Sequence, residues 1–544
     1  MKNACLYILM LFFSVNLMAQ NEKLLPDEFF NRNDQNWYNR KTGSALHFVS
    51  IINGEPDKAI AFAKTQLPDL EAEFILAVAF AAKGEADSAM HYVNASLEKH
   101  MPIARYLAGE LEVMKPLLEL PKFKELVAKH QPTIINGPML GDVTAQSAKV
   151  WFRTYQEQTC MIELSKQKDF QKIFKVISVR TDASKEYTTV ANIEGLKPNT
   201  LYFYRISADG KKHFTGSFTT TSKDHKPTQF SIVFGGGAAF IPWRHQMWGT
   251  IHSHRPDALF MMGDNVYIDY PEVPQAQLYC YQQRQSEPQW RKMIAHTPVY
   301  AIWDDHDFGD NDDYGGPAKF EPAWKFDNWK RFQNQWANPA YGLGAKDPGV
   351  WFNKVIGEVE FFFLDGRYYR EPSFIDVEKD HALSMLGAVQ KQWLKDKLLA
   401  SKAKFKVIIS PVPWSFPAKA ALEGKIDTWL GYPEERNEIF DFLTQNKIEG
   451  VVLLSADRHR SDLWKIEREG DYPLYEMESS RLTNTHRHPP IPSSIFSYNA
   501  KDSFGKVIFD TYKYDPELRY EIWTIDNEPV FNYTIRLSEL KTTN

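Results

Sequence analysis

The chain has 544 residues, a formal net charge of −5 and a sequence pI near 6.3. That length exceeds one hydrophobic core, so two or three domains are expected, and 43% hydrophobic with 14% aromatic residues are enough to fill them. The charge balance leaves no basic footprint and argues against a nucleic-acid scaffold as partner.

The opening "MKNACLYILMLFFSVNLMAQ" reads as a secretory signal over residues 1–19. Lys2 supplies the positive start, an apolar run follows from Ala4 to Val15, and Ala19 is small enough for cleavage. The run falls short of the roughly 20 residues that span a bilayer, and no later segment is long and apolar enough. Export to the periplasm or the extracellular space is therefore expected, with no transmembrane segment after signal removal. Cys160 and Cys280 would then remain, in different expected domains, and are read as two separate thiols rather than a disulfide.

Residues 20–130 read as helical. "EAEFILAVAFAAKG" and "ADSAMHYVNASLEKH" carry apolar residues at helical spacing. "GEPDKAIAFAK" from Gly54 is echoed by "GEADSAMHYVN" from Gly84. The echo resembles tetratricopeptide-type hairpins, whose period is about 34 residues; an ordinary helical bundle fits as well. Either could position the rest of the chain or bind a protein partner. Over 131–222 the pattern turns to short alternating strands, "AKVWFRTY", "CMIEL" and "LYFYRISA". The run "GLKPNTLYFYRISADGKKHFTGSFTT" resembles the closing strands of a fibronectin type III-like β-sandwich.

From 226 to 544 strands and helices alternate, and the chemistry collects at strand ends. "FSIVF" runs into "GGGAAF", "DALFMM" into "GDNVYIDY", and "PVYAIW" into "DDHDFGDNDD". Likewise "VEFFFL" runs into "DGRYYR", "FKVIIS" into "PVPW", and "GVVLLS" into "ADRHRSD". In α/β folds such clusters meet in a crevice at the carboxyl ends of the strands. Asp264, Asp305, Asp457 and His459, with His306 and Asn311 nearby, make an oxygen-and-nitrogen donor set without thiolates, suited to hard or borderline cations. The Asp457-Arg458-His459 spacing would turn two side chains to one face of an extended strand end. Each residue alone has a plainer reading. Asp264 fits turn chemistry, His459 a surface histidine, Arg367 and Arg370 a solvated strand exit, and Asp310, Asp312 and Asp313 an acidic surface turn.

Taken in order, "MGDNVY", "IWDDHDFGDND", "FFFLDGRYYR", "DTWLGYPEER" and "LLSADRHR" resemble the alkaline phosphatase D (PhoD-like) family of metallophosphoesterases. The resemblance runs from about Pro132 onward and takes in the sandwich; the helical region lies outside it. It implies a four-layer αββα core with a multi-metal centre that hydrolyses phosphate esters. The ions would be two or more divalent or trivalent cations, calcium, manganese, zinc or iron. By motif, Asp264 would bridge metals and Tyr267 would lie beside them. Asp305, Asn311, Asp457 and His459 would be further ligands, His306 would protonate the leaving oxygen, and Arg367 would bind phosphate oxygens. Two departures stand out. Gly237 occupies the place of a cysteine that ligates iron in the family, and Ala456 that of a glycine. The missing thiolate leaves open a degenerate relative acting as a binding or scaffold protein.

Overall fold

The structure is a computed structural model that describes residues 44–109, 111–132, 134–208, 214–373, 382–415 and 427–542. The expected signal over 1–19 lies outside the described residues. Among them, no helix is long and apolar enough to cross a membrane.

The N-terminal region is helical. A helical run at 44–52 precedes helices Pro56–Gln66, Leu70–Ala82, Ala86–Glu98, Leu111–Leu118 and Pro121–His130. Leu70–Ala82 is buried from Glu71 to Ala81, because its all-round apolar sequence leaves it no polar face. Asp69 caps it, its side chain accepting from the Glu71 and Ala72 N–H groups. The two echoed glycines take the same left-handed conformation, φ 78° at Gly54 and 79° at Gly84, each in a turn that opens the next helix.

Two antiparallel sheets follow. Strands β1 (Asn136–Gly141), β2 (Ser147–Arg153), β3 (Gln158–Ser165), β4 (Ile173–Thr181), β5 (Thr188–Glu194), β6 (Leu201–Ala208) and β7 (Phe214–Thr219) assemble as β1-β2-β5 and β4-β3-β6-β7. Alternate residues of both sheets, among them Val150, Ile162, Tyr204 and Ile206, bury a core of their own. Cys160 sits in it and Cys280 elsewhere, and the two form no disulfide with each other.

The remaining chain builds two larger sheets from β8 (Gln229–Gly235), β9 (Ala258–Met262), β10 (Val299–Ile302), β11 (Phe352–Ile356), β12 (Val359–Phe363), β13 (Phe405–Ile409), β14 (Val451–Ser455), β15 (Ser461–Ile466), β16 (Leu474–Ser479), β17 (Phe496–Tyr498), β18 (Ser503–Asp510), β19 (Glu517–Thr524) and β20 (Pro529–Arg536). The first runs β10-β9-β8-β18-β19-β20 and the second β11-β12-β13-β14-β16-β15-β17. Aromatic rings join their inner faces, Phe260 meeting Phe361 at 5.0 Å and Phe363 at 4.8 Å, and Phe361 meeting Phe509 at 5.7 Å. The runs β10-β9-β8 and β12-β13-β14-β16 are parallel. Strands β9, β12 and β14 are buried at every residue because both faces are covered. The six strand ends marked in the sequence therefore divide between two sheets and face one another across the seam.

The helical region has no separate core. Its apolar side chains, Phe48, Phe74 and Tyr106 among them, are continuous with those of the two large sheets, while the small sandwich keeps its own.

Candidate metal centre

Strand β9 ends in Gly263-Asp264-Asn265. Gly263 has φ 101°, and a Cβ there would lie 2.4 Å from the Asp304 Cβ, so only glycine lets this turn approach the loop after β10. Asp264 follows with φ 51°. The second loop begins with Asp304 as N-cap of a single helical turn, Asp305–Phe308. Asp307 ties the two loops together. Its Oδ2 accepts from the N–H groups of Asn265 and Asp304 (both 3.1 Å) and its Oδ1 from Val266 (3.0 Å).

Asp264, Asp305 and His306 are buried, with one ligand atom from each lying within 4.8 Å of the others. Asp264 Oδ2 accepts from the Tyr267 hydroxyl at 3.0 Å, and Asp305 Oδ2 accepts from the Asp312 N–H at 2.8 Å. The other oxygens, Asp264 Oδ1 and Asp305 Oδ1, are buried without a hydrogen bond. Two carboxylates this close cannot both be comfortably charged. Burial and the neighbouring Asp305 push Asp264 well above the usual carboxylate range. Burial works the same way on Asp305, but His306 and Arg367 outweigh it and hold that acid below its ordinary value.

His306 Nδ1 is hydrogen-bonded to Asp269, and its ring lies 4.4 Å from that of Tyr267. Burial opposes its charge, yet Asp305, Asp264 and Asp269 together raise the imidazole well above its usual range. Its Nδ1 is engaged by Asp269, and its Nε2 lies 4.0 Å from Asp305 Oδ2. Tyr267 receives a second hydrogen bond from Asn484 Nδ2.

From the opposite sheet come Asp457 and His459. They do not share one face of an extended strand end, as the spacing suggested, because the chain there is not extended. Strand β14 stops at Ser455, and Asp457 (φ 71°) and His459 (φ 49°) are both left-handed. Such strained residues cluster where surrounding structure fixes their side chains for function. Burial raises Asp457 to about 7. His459 Nδ1 donates to the His486 carbonyl at 3.1 Å, and burial, aided by His486 and His488, keeps its ring neutral.

Arg367 is fully buried and its fork is occupied. Nη1 and Nη2 grip Asp427 at 2.6 and 2.9 Å, Nε donates to Asp304 at 2.5 Å, and Nη2 lies 3.7 Å from Asp305 Oδ1. Arg370 adds a contact to Asp427 at 2.8 Å. Asp304, Asp305 and Asp427 also converge closely enough to hold a cation, but Arg367 already supplies the positive charge there. Asn311 is exposed, its N–H donating to Asp310 Oδ1 at 2.8 Å. Asp269, Asp304, Asp427 and Asn484 were not among the expected site residues. Asp304 and Asp427 stand inside the motifs "DDH" and "DTWLGYPEER", and Asp269 two residues after Tyr267. Nothing in the sequence marked Asn484. Asp312, read as a surface residue, is half-buried beside Asp305, and burial raises it to about 6.

The donors fit a metal. Their oxygens and nitrogens suit hard or borderline cations, and a cation would satisfy the orphaned buried oxygens of Asp264 and Asp305. Gly237 has φ 67°, and a Cβ there would meet the Arg481 N–H at 3.0 Å and Ser480 Oγ at 3.2 Å, so the backbone itself disfavours a side chain. The Ala456 methyl lies 2.9 Å from where a Gly236 Cβ would stand, so the second departure packs against the same glycine run.

Two facing sheets with carboxylates and histidines gathered at their strand ends define a phosphatase-type α/β core, and comparison with known proteins bears this out. A solved structure of PhoD superposes with a TM-score of 0.64 at 17% identity, covering 74% of this chain and 90% of that one. Purple acid phosphatase PPD1 from yellow lupin (Lupinus luteus) seeds gives 0.55 at 12% identity, covering 74% and 75%. Residues 236–489 match the PhoD-like phosphatase family and residues 123–222 its N-terminal domain. The alkaline phosphatase D of Bacillus subtilis (strain 168) is 22% identical over 338 residues, 55% of this chain and 58% of that protein's length. The chain belongs to the PhoD-like phosphatase family.

Proposed function

We propose that the chain is an exported, metal-dependent phosphoesterase that hydrolyses phosphate mono- or diesters. The observation that carries this reading is the buried trio Asp264, Asp305 and His306, with two carboxylate oxygens left without a hydrogen bond. Asp264, Tyr267, Asp305, Asp457 and His459 are the ligands we assign, with Asn311 of the exposed loop as a further one that would have to turn inward. Bound cations, two or more of calcium, manganese, zinc or iron, supply charge that neutralises phosphoryl oxygens and makes water more acidic. Asp269 orients His306 through Nδ1, and Asp305, Asp264 and Asp269 together favour its proton, so that Nε2 is the atom to offer a proton to the leaving oxygen. Arg367, whose fork is spent on Asp427 and Asp304, serves to hold the carboxylates in place instead of binding phosphate.

We divide the chain into a signal at 1–19, a tetratricopeptide-like helical domain at 20–130, a fibronectin type III-like domain at 131–222 and a four-layer αββα core at 226–544. The matching left-handed turns at Gly54 and Gly84, the three-plus-four strand arrangement, and the aromatic seam between two sheets support the last three of these assignments in turn.

Metal analysis of the purified protein, paired with p-nitrophenyl phosphate and bis-p-nitrophenyl phosphate assays under added calcium, manganese, magnesium, zinc or iron, tests the proposal. Bound metal with hydrolysis of at least one ester is expected. Sub-stoichiometric metal and no hydrolysis under every condition would favour the scaffold reading.

A further inference from the structure

Arg244 and Arg481 meet at one carboxylate, and Arg487 stands close enough to act on both it and Arg481 electrostatically. Arg244 Nη1 donates to both oxygens of Asp502, and Arg481 Nε approaches Asp502 Oδ1 at 3.1 Å without hydrogen-bond geometry. Arg487 lies within electrostatic range of both Asp502 and Arg481. Three guanidinium charges against one carboxylate leave two positive charges uncompensated. Burial depresses the Arg481 guanidinium to about 10, and Arg244 and Arg487 add to the effect, with Asp502 opposing it. Arg481 is buried, Arg244 is partly open and Arg487 is exposed, so the cluster reaches from the interior to solvent.

The loop 484–488 connects this cluster to the metal centre. Asn484 Nδ2 donates to the Tyr267 hydroxyl, and the Asn484 carbonyl accepts from Arg244 Nη1 at 2.8 Å. Two residues on, the His486 carbonyl holds His459, and Arg487 follows at once. A single asparagine thus touches the centre on one side and the arginines on the other. Lys501, the other cation nearby in the chain, is already engaged with Asp526 and Glu528.

We propose that Arg244, Arg481 and Arg487 form a subsite for a second anionic group of the substrate, so that the preferred esters carry a further phosphate or equivalent anion beside the scissile one. Guanidinium forks match phosphate geometry, and a partly desolvated excess of two charges favours a dianion. This rests on the phosphoesterase reading, since the first phosphate sits at the metal centre. Nothing in the motifs that carry the family resemblance includes these three residues.

Calorimetric titration of the full chain with propyl phosphate and with 1,3-propanediol bisphosphate tests it, in the wild type, Arg487→Gln and Arg487→Lys. For the manganese-loaded wild type the bisphosphate is expected to bind about tenfold more tightly. Arg487→Gln should reduce that ratio severalfold, Arg487→Lys should restore part of it, and raising salt should shrink it. Equal affinities in the wild type, or equal losses for both ligands in the manganese-loaded Arg487→Gln protein, would overturn the subsite. In metal-free protein both ligands bind through the arginines alone, and Arg487→Gln should weaken both; no binding there also counts against the subsite. Turnover is scored separately. A preserved preference without hydrolysis under any metal condemns the phosphoesterase reading and leaves the subsite standing, whereas hydrolysis without preference does the reverse.

Discussion

His306 separates two roles that one imidazole could fill, proton donor and metal ligand. Its Nδ1 is committed to Asp269, and its charge is held by three carboxylates. A group whose proton is favoured this strongly competes poorly for a cation. Replacing it with alanine is expected to lower turnover by about 10²–10⁴-fold while the metal content stays near that of the wild type. Loss of metal, with normal turnover per loaded molecule, would make it a ligand instead. Arg367 sets up a second test. Arg367→Gln removes the charge shared by Asp304, Asp305 and Asp427, leaving buried acids uncompensated. That change costs about 3–5 kcal/mol, to be read as a shift in the urea midpoint. Arg367→Lys should recover only part of it, because an ammonium cannot grip Asp427 with a fork. Protonation adds a third. Burial raises Asp457 to about 7 and Asp312 to about 6, so both hold protons near pH 5 that an incoming cation must displace. Metal affinity should therefore strengthen as pH rises from 5 to 8 and then level off. Competition titrations against a chromophoric chelator would measure it, and a flat profile would show that neither acid is coupled to the metal.

The elements that carry the centre are strand ends, and they were more legible than the loops between them. Apolar runs such as "ALFMM" and "VVLLS" announce buried parallel strands, since only strands covered on both faces lack a polar side. That each ends in a polar cluster followed from the pattern. Its division between two sheets did not, because pairing is set by contacts such as Phe260 on Phe361 that no local spacing encodes. Within the acidic stretch after β10, its place after a buried strand and the order of the family motifs picked out Asp305, His306 and Asn311. Asp304 and Asp307 were indistinguishable there from solvated acids, because their partners stand far off in sequence or across a turn. Asp304 meets Arg367 63 residues on, and Asp307 meets Asn265 42 residues back. Asp307 is the clearer lesson, a structural residue that ties together the two turns of the site. Asp307→Ala would strip acceptors from three backbone N–H groups and detach the Asp264 turn from the Asp305 turn. Each buried donor left unsatisfied costs about 1–3 kcal/mol. The expected result is a lower unfolding midpoint together with weaker metal binding. Unchanged metal affinity in a destabilised Asp307→Ala protein would mean the two turns are aligned by other contacts.

At the scale of the whole molecule, the helical region is built into the core of the two large sheets and is not appended to it. Arg105 grips Glu71 through Nε at 3.2 Å and Nη2 at 2.9 Å, and the Tyr279 hydroxyl donates to Glu71 Oε2 at 2.5 Å. Arg105 also stacks on Phe74, 3.9 Å from the ring centroid. Tyr279 belongs to the helix Pro274–Ser286, whose next residues reach the centre from behind. Cys280 Sγ contacts the Tyr267 carbonyl at 3.4 Å, and Arg284 donates to the Ala238 carbonyl. Ala238 in turn donates its N–H to the Asp264 carbonyl at 2.8 Å. One helix thus joins a buried ion pair in the helical region to the backbone that bears Tyr267 and Asp264. Glu71→Gln leaves Arg105 buried without a matching charge, a loss of about 3–5 kcal/mol. If the helix transmits that disturbance, metal affinity falls along with stability. Asp87→Asn, which breaks only the exposed pair with Lys122, should change neither, as surface pairs contribute little. Tyr279→Phe gives the graded case, removing one hydrogen bond while keeping the Arg105–Glu71 pair. Calorimetric metal titrations beside urea unfolding of the three variants decide the matter. Lower stability at unaltered metal affinity in both Glu71→Gln and Tyr279→Phe would reduce the helical region to a support. A parallel fall in the two measurements, larger for Glu71→Gln than for Tyr279→Phe, would make it a positioning module for the centre.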